Sequence, residues 1–167
     1  MATFFITRKF SKDIKVDKFS EPPTVLDSFD GWFIDIFRVQ RKKIAIATHA
    51  TTYLTFFLPY CDIGGAVSVP DCVGVLVAQL LYDQECTRHA DNVQNMFENK
   101  HIFCKTNNRK VLGHMNDFKY GVEAMTMYLD FPDIDWDEII EKVNKTLINT
   151  KVEGYETPQT LFSRLLG

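Results

Sequence analysis

The densest run of functional groups in the chain is Lys105-Thr-Asn-Asn-Arg-Lys-Val-Leu-Gly-His-Met-Asn-Asp117, set between a short apolar run and a strongly periodic one. Asn107 or Asn108 is placed to cap a helix that starts here, leaving backbone N–H groups outward beside Lys105 and Arg109. A helix N-terminus flanked by cations suits an anion. Along that helix Arg109, Gly113 and Asn116 share one face at i, i+4 and i+7, and Lys110, His114 and Asp117 share the adjacent one. A helical glycine costs about 1 kcal/mol relative to alanine, so Gly113 marks a place where a ligand or another backbone approaches. The expected ligand-binding set is therefore Lys105, Asn107, Asn108, Arg109, His114, Asn116 and Asp117. The same residues also suit a purely structural role. A strand-to-helix turn needs Asn, Thr and Gly simply to turn, and Arg109 with Asp117 could be a buried structural pair.

Other polar residues point to chemistry less strongly. His49 falls in a hairpin turn, where a solvated imidazole is expected, and His89, Asp91 and His101 read as exposed helix-end residues. Asp133, Asp135, Asp137 and Glu138 miss the spacing of an EF-hand loop and suit the positive end of a helix dipole. Gly64-Gly65 lacks the fingerprint of a phosphate loop, and no serine sits in a G-x-S-x-G elbow. The four cysteines, at 61, 72, 86 and 104, form no CxxC pair and have no histidine at zinc-finger spacing, so no metal or cofactor is expected. Cys104 falls on a predicted strand and reads as core.

Composition narrows the class. The chain has 167 residues, 46% of them hydrophobic and 25% charged, which fits a single α+β domain spanning 1–167. Fourteen phenylalanines point to an aromatic core. The net charge of −3 argues against a dedicated duplex-DNA binder. Local basic clusters remain, at Arg38, Arg41, Lys42 and Lys43 and at Lys105, Arg109 and Lys110. With no secretory signal and no paired cysteines, a cytoplasmic location with free thiols is expected. The longest apolar stretch, Val73 to Leu81, is too short to span a bilayer, so no membrane partner is expected.

The elements that must hold the polar segment follow from periodicity. Thr3 to Thr7 reads as a strand, and Ser20 to Asp30 as a loop. Trp32 to Val39, Ile44 to Thr48 and Tyr53 to Leu58 are three strand patterns at hairpin spacing, an antiparallel meander. Pro70 and Asp71 open a helical stripe of Val73, Leu76, Val77, Leu80 and Leu81 that reads as one long helix or two in tandem to about Asn99. Ile102 to Lys105 reads as a central strand. Val111, Met115, Phe118, Val122, Met125 and Leu129 recur at steps of 4, 3, 4, 3 and 4, the clearest amphipathic helix in the chain. Trp136 to Ile148 and Thr157 to Leu166 add two helices, with Asp135 and Thr157 as N-caps. The expected architecture is an antiparallel sheet, made of the meander plus the N-terminal and central strands, with helices packed mainly on one face.

Thr7-Arg-Lys-Phe10, the turn Arg41-Lys-Lys43 leading into Ile44 to Thr48 and Thr51-Thr52, and above all Lys105 to Phe118 resemble the DUF6933 family of bacterial proteins. That family is named for having no known function, and related segments occur fused to plasmid pRiA4b ORF-3-like domains. The resemblance implies a bacterial or mobile-element context and no particular reaction. The chain departs from the family pattern at His114, where a small residue is expected. The leading functional reading is a non-enzymatic binding or interaction protein, compatible with a homodimer, whose 105–117 segment and basic turn take an anionic ligand or nucleic acid. The alternative is a small hydrolase or nuclease-like enzyme using Arg109, His114 and Asp117, of which His114 alone offers a base near neutral pH.

Overall fold

Runs such as Thr3-Phe-Phe-Ile6, Trp32-Phe-Ile34 and Thr55-Phe-Phe-Leu58 are apolar at successive positions, so both faces of the strands they form must be covered. The computed structural model describes residues 1–150 and 154–167. Strands β1 (Thr3–Ile6), β2 (Trp32–Val39), β3 (Lys42–His49), β4 (Thr55–Pro59) and β5 (Ile102–Lys105) make one sheet in the order β4-β3-β2-β1-β5. β2, β3 and β4 form the antiparallel meander. Their first turn is two residues, Gln40 and Arg41, both at positive φ (47° and 69°), the hairpin geometry whose twist matches its strands.

The sheet as a whole is mixed, which corrects the antiparallel expectation. β1 lies between β2 and β5 and runs parallel to both. Its link to β2 passes through helix α1 (Arg8–Asp13) and a loop. β5 is reached only after α2 (Tyr60–Ile63), α3 (Val69–Asp83) and α4 (Thr87–Phe97). Such crossovers carry the chain back to the opposite end of the sheet from the one it left, so the next strand runs in the same direction.

The helices also cover both faces rather than mainly one. Phe4, Ile6, Trp32, Ile34, Ala45, Ala47, Phe56 and Leu58 pack with Phe10 of α1, Val73, Val77 and Leu81 of α3, Ala90, Val93 and Phe97 of α4, and Phe162 of α7 (Pro158–Ser163). The alternate side chains Phe5, Phe33, Ile44, Ile46, Phe57 and Cys104 pack with Val111, Met115, Phe118 and Val122 of α5 (Arg109–Thr126) and with Ile139 and Val143 of α6 (Trp136–Asn144). Two short strands, β6 (Ile148–Asn149) and β7 (Tyr155–Glu156), pair as a separate antiparallel ribbon.

The predicted tandem helices are two. The chain breaks at Gln84 and Glu85, the latter at φ 59°, and α3 and α4 fold back on each other. Gly74 makes that contact possible, since a Cβ there would lie 2.5 Å from Phe97. With the 3₁₀ turn before it, α3 forms an 18-residue stretch, Ala66–Asp83, apolar enough by composition to cross a membrane. Its Val69, Val73, Val77 and Leu81 instead fill the core beneath the sheet.

Candidate functional site

Because β2 and β5 flank β1 in parallel, the carboxyl ends of all three strands emerge at one edge of the sheet. Each end delivers polar residues there. β1 continues into Thr7, Arg8 and Lys9. β2 runs past the last residue paired with β1, Ile34, to Asp35 and Arg38. β5 ends in Lys105 and leads through Asn107 and Asn108 into α5.

The centre of this edge is a buried pair. Lys119 Nζ on α5 donates to Asp35 Oδ2, and the two side chains are 12% and 11% exposed. Thr7 Oγ1 donates to the other carboxylate oxygen at 2.6 Å, and Lys119 also reaches Asn116 Oδ1 at 3.3 Å. Burial by itself would push the Asp35 carboxyl up. The hydrogen bonds from Lys119 and Thr7 and the lysine charge outweigh it and hold the group below its ordinary value. A second network lies on α1. Asp13 accepts from Lys43 Nζ at 2.7 Å and from the Tyr60 hydroxyl at 2.9 Å. Burial, then Asp13, push the Tyr60 phenol far above its usual range.

Two grooves open at this edge, the first of them on Lys119. One, of about 540 Å³, is lined by Lys9, Ile36, Phe37, Arg38, Asn116, Lys119, Tyr120 and Glu123. The other, of about 500 Å³, is lined by Arg8, Ser11, Lys12, Val16, Asp17, Phe19 and Lys105. Arg38 is braced by a 2.6 Å bond from Nη1 to the Arg41 carbonyl, and Lys105 lies over the Phe19 ring at 5.8 Å.

The seven residues expected from the sequence are distributed among several surroundings. Asn108 caps α5, its side chain accepting from Lys110 N at 3.0 Å and Val111 N at 3.3 Å. Asn107 and Arg109 are exposed at the helix start. Asn116 lines the first groove and Lys105 the second. Gly113 is exposed, and among the described residues a Cβ there would meet nothing within 4 Å, so none of them needs its smallness. His114 and Asp117 line a third, largely apolar groove of about 390 Å³ with Phe118, Met125, Val143 and Leu147. His114 lies edge-on to Tyr53 at 4.6 Å, and burial, then the nearby Lys110 ammonium, lower its pKa. Arg109 is not among the residues lining that groove.

Sequence reasoning missed Asp35, Lys119 and Thr7. The signal for Asp35 was a lone carboxylate inside Trp32-Phe-Ile-Asp-Ile-Phe37, where an acid on an apolar strand demands a partner. His49 also departs from expectation. It is fully buried rather than solvated, with Nδ1 2.8 Å from Thr52 Oγ1, Nε2 3.0 Å from the Asp30 carbonyl and its ring on Trp32. The turn folds inward because the sheet's end is roofed by Trp32 and Phe162. Burial lowers the His49 pKa to about 4. His89 is half-buried against Phe29, and His101 Nε2 donates to Asp71 Oδ1 at 2.8 Å. Among the described residues no three His, Cys, Asp or Glu side chains gather as a metal site.

The model of the family described as Domain of unknown function (DUF6933) matches residues 3–161, nearly the whole chain, and the protein belongs to that family. No curated protein matches it.

Proposed function

We propose that this DUF6933 protein is a non-enzymatic binding protein that takes a phosphate-bearing anion at the carboxyl edge of its parallel strands. The observation that carries the reading is the charge of that edge. Arg8, Lys9, Lys12, Arg38 and Lys105 line its two grooves against the exposed carboxylates of Asp17 and Glu123, while the Lys119 charge is matched by Asp35. This concentration occurs in a chain whose net charge is −3. Open sheets with parallel strands take ligands beyond the strands' carboxyl ends, where connections leave to opposite sides. Here β1 has a parallel neighbour on each side. The start of α5 adds the positive end of an 18-residue helix, with Arg109 exposed beside it. The binding reading is preferred to hydrolysis because His114, the imidazole of the 105–117 segment, lines a different groove from Lys9, Arg38 and Lys119.

The test is titration of pyrophosphate and of a short fluorescent single-stranded oligonucleotide into the parent protein and into Lys9→Glu and Arg38→Glu. Binding that both charge reversals abolish, with unfolding midpoints unchanged, is expected. A linear fall of log K with log salt, steeper for the oligonucleotide, would identify nucleic acid as the ligand class. Unchanged affinity in both variants refutes the reading.

A further inference from the structure

The amino end of the same strands has the opposite character. A cavity of about 650 Å³ lies between the loop before β2, α4 and the start of β1. Phe29, Val93, Met96 and Ile102 give it apolar walls, Asp27, Asp30, His89 and Asn92 line it too, and no lysine or arginine does. Its size is that of a small-molecule site.

Asp30 is the informative residue. It is 6% exposed. Its Oδ1 accepts from Thr3 N at 2.6 Å and from Gly31 N at 2.7 Å, so the backbone holds the side chain in place. No hydrogen bond or ion pair among the described residues engages Oδ2. Nor is that oxygen sealed away. Among the described residues the one side-chain nitrogen or oxygen both sealed and unpartnered is His101 Nδ1. The remaining accessible surface of Asp30 therefore opens on the cavity that it lines. A carboxylate this buried is costly without a positive partner, and none of the ion pairs among the described residues includes it.

We infer that this cavity binds a small organic cation: an ammonium or guanidinium group carried on an apolar body. The cation donates to Asp30 Oδ2, and Asp27 adds a second negative charge. The body packs on Phe29, Val93 and Met96, with the half-buried His89 ring at the side. The site is independent of the anion-binding edge, because none of its lining residues lines the two basic grooves.

The experiment is calorimetric titration and thermal unfolding of the full chain with phenethylammonium chloride, beside its neutral isostere phenethyl alcohol and the anion phenylacetate. Two variants separate charge from shape. Asp30→Asn keeps an oxygen for the Thr3 and Gly31 N–H groups but replaces Oδ2 by an amide and cancels the charge. Met96→Trp fills the cavity and leaves Asp30 intact. The ammonium should bind and raise the unfolding midpoint, the alcohol and the carboxylate should not, and each variant should weaken binding at least tenfold. Lys9→Glu and Arg38→Glu should bind phenethylammonium as the parent does. The inference is overturned if the alcohol binds as well as the ammonium, if the ammonium gives no heat and no stabilisation at millimolar concentration, or if Met96→Trp binds undiminished. Should Asp30→Asn fail to fold, the isostere comparison and Met96→Trp still decide.

Discussion

Replacing Lys119 by methionine keeps most of the side chain's bulk and removes the ammonium from Asp35. Both partners are about nine-tenths buried, so solvent cannot take over the lost charge. Removing one member of a buried pair typically costs about 3–5 kcal/mol. Asp35 keeps its 2.6 Å bond from Thr7, which places the expected loss near the lower limit, about 3 kcal/mol. For a domain of this size that lowers the unfolding midpoint by roughly 6–12 °C. The pH dependence adds a second readout. The folded-state pKa of Asp35 lies below its ordinary value of 3.8, so its contribution is fully present above that value and disappears as pH falls through the folded pKa. In the variant, burial outweighs the remaining bonds from Thr7 and the Ile36 backbone and raises the Asp35 pKa, so the variant relieves its penalty by taking up a proton at a higher pH than the parent. The gap between parent and variant should therefore be widest at pH 7 and narrow towards pH 4. Denaturant unfolding at both pH values measures it, and Asp35→Asn combined with Lys119→Met should recover much of the loss. A deficit below about 1 kcal/mol, a gap independent of pH, or a double variant no better than the single one would refute the assignment of this pair as a buried, mutually dependent unit.

The remaining expectations concern glycine, histidine and arginine. Gly113→Ala should stabilise the protein by up to about 1 kcal/mol in denaturant unfolding, because the new methyl meets none of the described residues. Gly74→Ala should destabilise it by about 1–3 kcal/mol, because the same methyl would collide with Phe97. The folded-state pKa of His49 is lowered from 6.5 to about 4, so stability should be intact above pH 6.5 and decline by up to about 3 kcal/mol on acidification through that window. An NMR titration of the His49 ring that shows a midpoint near 6.5 would contradict its burial. Arg109→Ala should change stability by no more than about 0.5 kcal/mol, checked by thermal unfolding, since the side chain is exposed at the helix start.

What the sequence determined by itself was local. β2 runs from Trp32 to Val39 and β5 from Ile102 to Lys105, as their patterns predict, and α5, α6 and α7 are capped by Asn108, Asp135 and Thr157. Such features depend on a few neighbouring residues, on whether a side-chain oxygen can reach an N–H three positions on, and on whether apolar residues recur with one period. The stripe from Val111 to Val122 is buried for the same reason, while Leu129, beyond the end of α5, is not. What only the tertiary structure decided was relative placement. Strand patterns look alike whichever way a strand runs, so nothing local shows β1 lying parallel between β2 and β5. Apolar residues at consecutive strand positions did hint that both faces are covered, but which helix covers which face depends on the crossovers. The polar residues follow the same rule. Asp35 and Lys119 are 84 positions apart, and no spacing joins them. The turn of α5 sends Asn116 to one groove and His114 with Asp117 to another. Asp30, which read as the end of a loop, became a buried carboxylate facing a cavity because the backbone of β1 arrived beside it. Periodicity specifies which side of an element is apolar. The chemistry here depends on which elements the chain's crossovers bring together, and that is settled when the whole core is buried at once.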